Sequence, residues 1–195
     1  APDPVVPELP ERVAPAELEL PAGLDVTRYA TGLAGARHCW QDYDVGERID
    51  HVDGMTVEES CHMTATRLYQ NPARVHFNRQ TAAADRFGRR IVYGGHVISL
   101  ARALSFNGLA NAFRIAAING GRHAAPVFAG DTVYAWSEVT EKLELPGRAD
   151  LGALRLRTVA TKDRACADFP DRGPDGRLDP AVVLDLDYTV LMPRG

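Results

Sequence analysis

The 195-residue chain has only three cysteines, Cys39, Cys61 and Cys166, and no CxxC pair. An odd, widely spaced set excludes a disulfide framework, argues against a structural zinc site and suits a reducing compartment. His38 beside Cys39 and Cys61 beside His62 do not make a metal site either, because adjacent residues on a strand or helix point apart. No run approaches the ~20 apolar residues needed to cross a bilayer, and no basic segment followed by an apolar run opens the chain. A soluble, cytoplasmic protein without a membrane partner is expected. Positive charge is not in excess: 22 Lys and Arg stand against 26 Asp and Glu, a net charge of -4. That excludes a general basic field for nucleic acid, so a polyanionic ligand would require a local arginine cluster. Internal repeats and low-complexity tracts are also lacking.

What is present is 45% hydrophobic content, enough for one well-filled core and too little chain for two catalytic domains. Residues 1–40 read as a proline-rich arm or linker, and residues 41–195 as the domain. Six of the thirteen prolines fall in the first 23 residues, interleaved with acids and small apolar residues, so this stretch is expected to run extended over a surface. A start at Ala1 rather than methionine suggests processing, or one piece of a longer polypeptide.

A short extended segment is expected at residues 45–52. Thr56, with Glu59 three residues on, predicts a capping box and a helix over 57–69 whose inner face is Val57, Cys61, Ala65 and Leu68, stopped by Pro72. Residues 71–80 then form a loop. Gly94 and Gly95 open a second helix of about 17 residues, roughly 25 Å long, with Val97, Leu100, Ala101, Leu104 and Gly108 on one stripe; being apolar nearly all round, it is expected to be central. Period-2 strands follow at residues 113–119, 133–145, 153–161 and 182–192. In the last, Val182, Leu184, Leu186, Tyr188, Val190 and Met192 face one way and Asp185 and Asp187 the other, the pattern of an antiparallel sheet with one wet side. Leu154, Leu156, Thr158 and Ala160 repeat it against Arg155 and Arg157. The charged loop between these strands, residues 163–180, is read as a flap or a disordered excursion. The fold class is α+β, one buried helix wrapped by an antiparallel sheet.

The chemistry concentrates in residues 69–99. Addition of water across an enoyl thioester needs a base for the water, an acid for C2, and donors at the thioester oxygen. His76 can both take and return a proton, since imidazole titrates near neutrality. A loop histidine that only caps a backbone carbonyl would look the same. The Gly94-Gly95 step would expose unpaired N–H groups and let a ligand approach the backbone, though paired glycines can also serve only a tight turn.

Together, YQNPARVHFN and YGGHVIS resemble the MaoC-type, (R)-specific enoyl-CoA hydratase family, whose motif runs Asp-x-Asn-Pro-x-His and later has a helix-starting His-Gly leading to a serine. The resemblance extends over about Tyr43 to Arg194, through HVDGMT, FGRRIVYGGH, FAGDTVYAWSE and DLDYTVLMPR. It implies a hot-dog fold, one half of a two-hot-dog enzyme joined through the arm, and reversible hydration of mesaconyl-CoA without metal or redox cofactor. By position, the family's histidine falls on His76, its acidic partner on Asn71, its serine on Ser99 and its oxyanion-hole glycine on Gly94 or Gly95, with Tyr93 beside them in the substrate-binding set. Asn-Pro stands at a different offset, and the amide of Asn71 cannot accept a proton. His76 is therefore expected to act as sole acid/base, with Asn71 fixing the water. For the free carboxylate of mesaconyl-CoA, Arg74 is the first candidate clamp and Arg67 the second. For the CoA phosphates, the candidates are the run Phe87 to Arg90, Arg90 included, and Arg122. His96 and His123 read as packing residues. The expected partners are the CoA thioester and another hot-dog unit, either the N-terminal half of the same enzyme or a second copy. The rival readings are an acyl-CoA thioesterase of the same fold and a non-catalytic acyl-CoA-binding half.

Overall fold

In the computed structural model, which describes residues 8 and 10–195, the period-2 segments pair into one antiparallel sheet of order β1-β4-β5-β6-β3, with β2 also on β4. The strands are β1 (Arg48–Asp50), β2 (Met55–Thr56), β3 (Arg114–His123), β4 (Thr132–Leu145), β5 (Arg148–Lys162) and β6 (Val182–Pro193). β5 exceeds its sequence signature at both ends, β3 and β6 at their C-terminal ends and β4 by one residue at its start, because flanking residues that break the apolar alternation still pair. The helices are α1 (Glu59–Leu68), α2 (Arg74–Phe77), α3 (Arg79–Ala82), α4 (Gly94–Leu104) and α5 (Phe106–Leu109). Among the described residues, no helix is long and apolar enough to cross a membrane.

The expected inner face of β6 holds from Leu184 onward: Leu184, Leu186, Tyr188, Val190 and Met192 join Leu154, Leu156 and Ala160 of β5 in the main core, against Val97, Ala101 and Leu104 of α4, whereas Val182 packs instead with Trp136 and Cys166. On the outer face Arg155 binds Asp187 and Glu141, and Arg157 binds Asp185 and Asp171. Cross-strand pairing places opposite charges side by side there, as a half-wet antiparallel face favours.

That face is drier than the alternation suggests. Leu18 of the arm is buried with Leu143, Leu145, Leu151 and Leu191, the Val13 amide donates to Asn119 Oδ1 at 3.0 Å, and Arg12 and Glu11 pair with Glu141 and Arg155. Thus the described part of the arm is clamped to the sheet, with single 3-10 turns at Pro15–Glu17 and Thr31–Ala34; the reading of residues 1–7 and 9 as extended lies outside the described residues. Trp40 closes this segment: its indole N–H donates to Ala153 O at 2.9 Å, and its ring lies where a Cβ on Gly152 would stand. Gly152→Ala is therefore expected to lose about 1–3 kcal/mol by overpacking, a fall of several degrees in Tm that thermal unfolding followed by tryptophan fluorescence would detect.

Four expectations are corrected. The 163–180 loop is not a free flap: Cys166, Phe169 and Leu178 pack around Trp136, whose indole N–H donates to Pro170 O. No capping box opens α1, because Thr56 lies in β2 and bonds the Thr132 hydroxyl, leaving Glu58 as N-cap with no side-chain cap. The buried face of α1 is His62, Ala65 and Thr66, whereas Cys61 and Leu68 are exposed. The apolar periodicity misses this rotation because two polar residues face inward, Thr66 satisfying its hydroxyl on His62 O at 2.8 Å. Finally, α4 runs eleven residues rather than seventeen, about 16 Å. The helix stops because Asn107 leaves helical geometry to bind His51 and Asp53, and Gly108 takes φ +95°, a turn open to glycine.

Candidate active site

The expected loop over residues 71–80 instead holds two one-turn helices, Arg74–Phe77 and Arg79–Ala82, and two asparagines explain why. Asn71 Oδ1 accepts from the Ala73 amide at 2.9 Å, and Asn78 Oδ1 from the Thr81 amide at 3.0 Å. Each satisfies a donor that a helix start would leave open. His76 rides on the first of these turns, half-buried. Its Nδ1 lies 2.9 Å from Ile91 O. A carbonyl oxygen only accepts, so Nδ1 carries the proton and Nε2 keeps its lone pair, the tautomer a general base needs.

The ring borders a cavity of about 400 Å³ lined by His76, Phe87, Gly94, Val97, His123 and the segment 124–127, with Ile91 and Val92. Gly94 and Gly95 begin α4, and Tyr93 O already accepts from the amides of His96 and Val97. The Gly94 and Gly95 amides therefore precede the first intrahelical bond and are free to act as donors. Only Gly94 lines the cavity. A Cβ there would strike the ring of His123, and one on Gly95 would meet the Tyr93 ring at 2.5 Å, so both glycines are held by close approach of an aromatic ring. Tyr93 stands 5.9 Å from the His76 ring, centroid to centroid, and 6.4 Å from Tyr69.

The cavity thus joins three of the expected residues, His76, Gly94 and, by ring contact, Tyr93. It does not join the others. Asn71 commits its side-chain oxygen to the Ala73 amide. Ser99 is exposed in a separate groove between α1 and α4, with Ser60, Cys61, Thr64, Tyr69 and His96. Arg74 and Arg67 are exposed, outside the lining. Arg122 pairs with Asp185. Arg90 is bound by Glu59 and donates to Phe77 O at 3.2 Å. With Arg79, Arg89 and Gly88 it lines a cleft of about 410 Å³. That cleft neighbours the His76 cavity: residues 87 and 127 line one and 88–90 and 129 the other, with Phe87 and Phe128 packed edge to face between them at 5.6 Å.

Sequence reasoning missed His123 as a site residue. It ends β3, four residues past the predicted strand end, and β3 carries register shifts at Ile115/Ala117 and Ile118/Gly120 that scramble its alternation. It also missed His62, which is fully buried on α1. Burial disfavours the charged form of His62 and of His96. A neighbouring imidazole adds to this in both, His76 for His62 and His62 for His96, so the three rings of α1, α2 and α4 form one electrostatic group.

A proton acceptor with a fixed tautomer, amide donors at a helix start and an apolar lining match what hydration of a conjugated thioester requires. The MaoC like domain matches residues 43–153, more than half of the chain. The chain belongs to the MaoC like domain family. It is 64% identical over 194 residues to a β-methylmalyl-CoA dehydratase of Chloroflexus aurantiacus and 60% identical over 196 residues to a mesaconyl-CoA hydratase of Cereibacter sphaeroides, each match covering 100% of this chain and 55% of the relative. The chain therefore spans about half the length of these curated relatives. The crystal structure of a MaoC domain dehydratase from Chloroflexus aurantiacus superposes with a TM-score of 0.93 at 64% identity, over 100% of this chain and 56% of that one. A double hot-dog protein from Mycobacterium tuberculosis, 24% identical, shares the fold with a TM-score of 0.58 over 92% of this chain and 49% of its own. The MaoC family and the α+β hot-dog fold expected from the motif both hold.

Proposed function

We propose that the protein containing this chain is a hydro-lyase that interconverts mesaconyl-CoA and β-methylmalyl-CoA. In hydration, His76 Nε2 takes a proton from water as the oxygen bonds to C3, the Gly94 amide receives the enolate charge developing on the thioester oxygen, and the proton is returned to C2. The reverse sequence eliminates water. Only proton transfer and polarisation are involved, so no metal or redox cofactor enters the scheme. The observation that carries the reading is the 64% and 60% identity, along the whole of this chain, with two relatives whose names describe the two directions of one reaction. The acid/base geometry at His76 supports it.

The cleft that Arg79 and Arg89 line beside the Arg90–Glu59 pair suits the anionic part of a CoA thioester whose acyl end reaches past Phe87 into the apolar cavity. A second hot-dog unit is proposed along β3, which among the described residues pairs only with β6 and leaves Ile118 60% exposed. His123, on that strand, would lie beside the added unit. The three free thiols suit a reducing cytoplasm.

Absorbance of the enoyl thioester, read together with a thiol reagent, tests the function. Loss of the conjugated double bond with no free thiol is expected. Release of thiol would instead indicate a thioesterase, and no change in either signal a non-catalytic binding half.

A further inference from the structure

His62 is an unusual core residue. Neither of its ring nitrogens has a hydrogen-bond partner, although the side chain is fully buried, a condition that costs stability and that an apolar side chain of similar size would avoid. Its surroundings are charged on one side and catalytic on the other. Glu59 Oε2, one turn earlier on α1, stands 3.4 Å from His62 Nε2, near enough to attract it but not aligned as a hydrogen bond. The same carboxylate pairs with Arg90, and Arg90 donates to Phe77 O at the end of α2. Ile91, the next residue, supplies the carbonyl that holds His76 Nδ1.

A single helical turn such as α2 cannot hold its own geometry, since nucleation costs more than one turn returns. Its end and its histidine are both fixed by residues 90 and 91, and these are tied to α1 through Glu59. On the proposed hydratase reading, we infer that His62 and Glu59 are positioning residues for His76: the carboxylate, shared between His62 and Arg90, keeps the Arg90–Ile91 segment and the His76 ring in register with the cavity.

The charged and titratable groups around His62 are Glu59 on its own helix, His76 on α2, His96 on α4 and, through Glu59, Arg90. Glu59 is half exposed, so without attraction from the His62 ring its side chain is free to swing into solvent and release Arg90. Displacement of a reacting group by a fraction of a residue length costs up to about 100-fold in rate without weakening substrate binding.

The test compares His62→Met, His62→Gln and Glu59→Gln in the intact protein, measuring kcat, KM and Tm with mesaconyl-CoA. Expected are a kcat lowered ~10- to 100-fold in His62→Met, with KM within threefold and Tm unchanged or raised. Substantial recovery is expected in His62→Gln, whose amide N–H can still engage Glu59, and a kcat loss like that of His62→Met in Glu59→Gln. Retention of kcat within twofold in His62→Met overturns the inference, as does an equal loss in His62→Met and His62→Gln. Should His62→Met fail to fold, Glu59→Gln decides alone, a kcat within twofold of wild type refuting the role. A wild-type protein that does not hydrate the substrate removes both this inference and the hydratase reading, whereas wild-type activity with unaffected variants removes this inference only.

Discussion

His76→Ala is expected to reduce kcat for mesaconyl-CoA hydration by ~10²- to 10⁴-fold, the usual contribution of a positioned acid/base group, with KM changed little. The reason for placing the loss in kcat is geometric. Nδ1–H is committed to Ile91 O at 2.9 Å, so in the neutral ring the nitrogen that keeps its lone pair is Nε2, and that lone pair serves the chemical step rather than the ground-state complex. Neither the other expected acid/base partners nor Glu59 can take over, which leaves His123 as the second imidazole on the cavity. Asn71 is an amide whose oxygen is occupied by the Ala73 amide, Ser99 lies in another groove, and Glu59 is bound by Arg90. His76→Gln is expected to be as inactive as His76→Ala, since glutamine can accept a hydrogen bond but not a proton. Steady-state rates from enoyl absorbance, measured across pH for wild type and both variants, check this. A His76→Ala enzyme within tenfold of wild type would rule out His76 as the sole acid/base.

How far the sequence carried this reading depended on whether a residue's partner lay along its own element. The β6 alternation was legible because Val190, Tyr188 and Leu186 all face one core, and the aspartates between them face the arginines of β5. The motif around His76 and Gly94 was legible because its spacing is local. Three features were not. Asn107 looks like a tolerable helix residue until His51, 56 positions earlier, claims its carbonyl. His62 and Thr66 count as solvent-facing in any apolar periodicity, yet both are buried. His123 reaches the cavity only because two irregularities in β3 re-aim the strand end, and such shifts leave no apolar pattern to read. Glu59, twelve positions before Asn71 on α1, connects to the His76 turn only through Arg90 and Phe77, a relation that only the packing of helices reveals.

Lowering the pH from 7 towards 4 is expected to remove about 3 kcal/mol of stability through His51 alone. This residue is fully buried, and its Nδ1 donates to Asn107 O at 2.6 Å. Nε2 is then an acceptor, and Ser137 Oγ at 2.8 Å donates to it. The Ser137 hydroxyl in turn can accept from Thr158 at 2.7 Å, and Thr158 from Tyr188 at 3.0 Å, so one chain of hydroxyls crosses β4, β5 and β6 with every donor pointing towards the ring. A proton on Nε2 would face the Ser137 hydroxyl hydrogen and force the chain to turn round. Burial accordingly pushes the His51 pKa down to about 4, below the value of roughly 6.5 in an unfolded chain. Between those two values the unfolded state binds a proton that the folded state refuses. Stability therefore rises with pH across the window, and it is lost as pH falls from about 6.5 to 4. His62 and His96, also depressed by burial, act in the same direction. For a chain of this length the His51 contribution corresponds to a fall in Tm of ~6–12 °C. His51→Gln separates the titration from the packing: it should be less stable than wild type at pH 7, because glutamine cannot reproduce both ring contacts, but its Tm should fall less steeply towards pH 4. Parallel Tm-against-pH curves for the two proteins would show that His51 is not the titrating group. Because Asn107 ends α4 by binding this same ring, the variant should also loosen the helix end, visible as faster amide exchange at residues 104–109 than in wild type at pH 7.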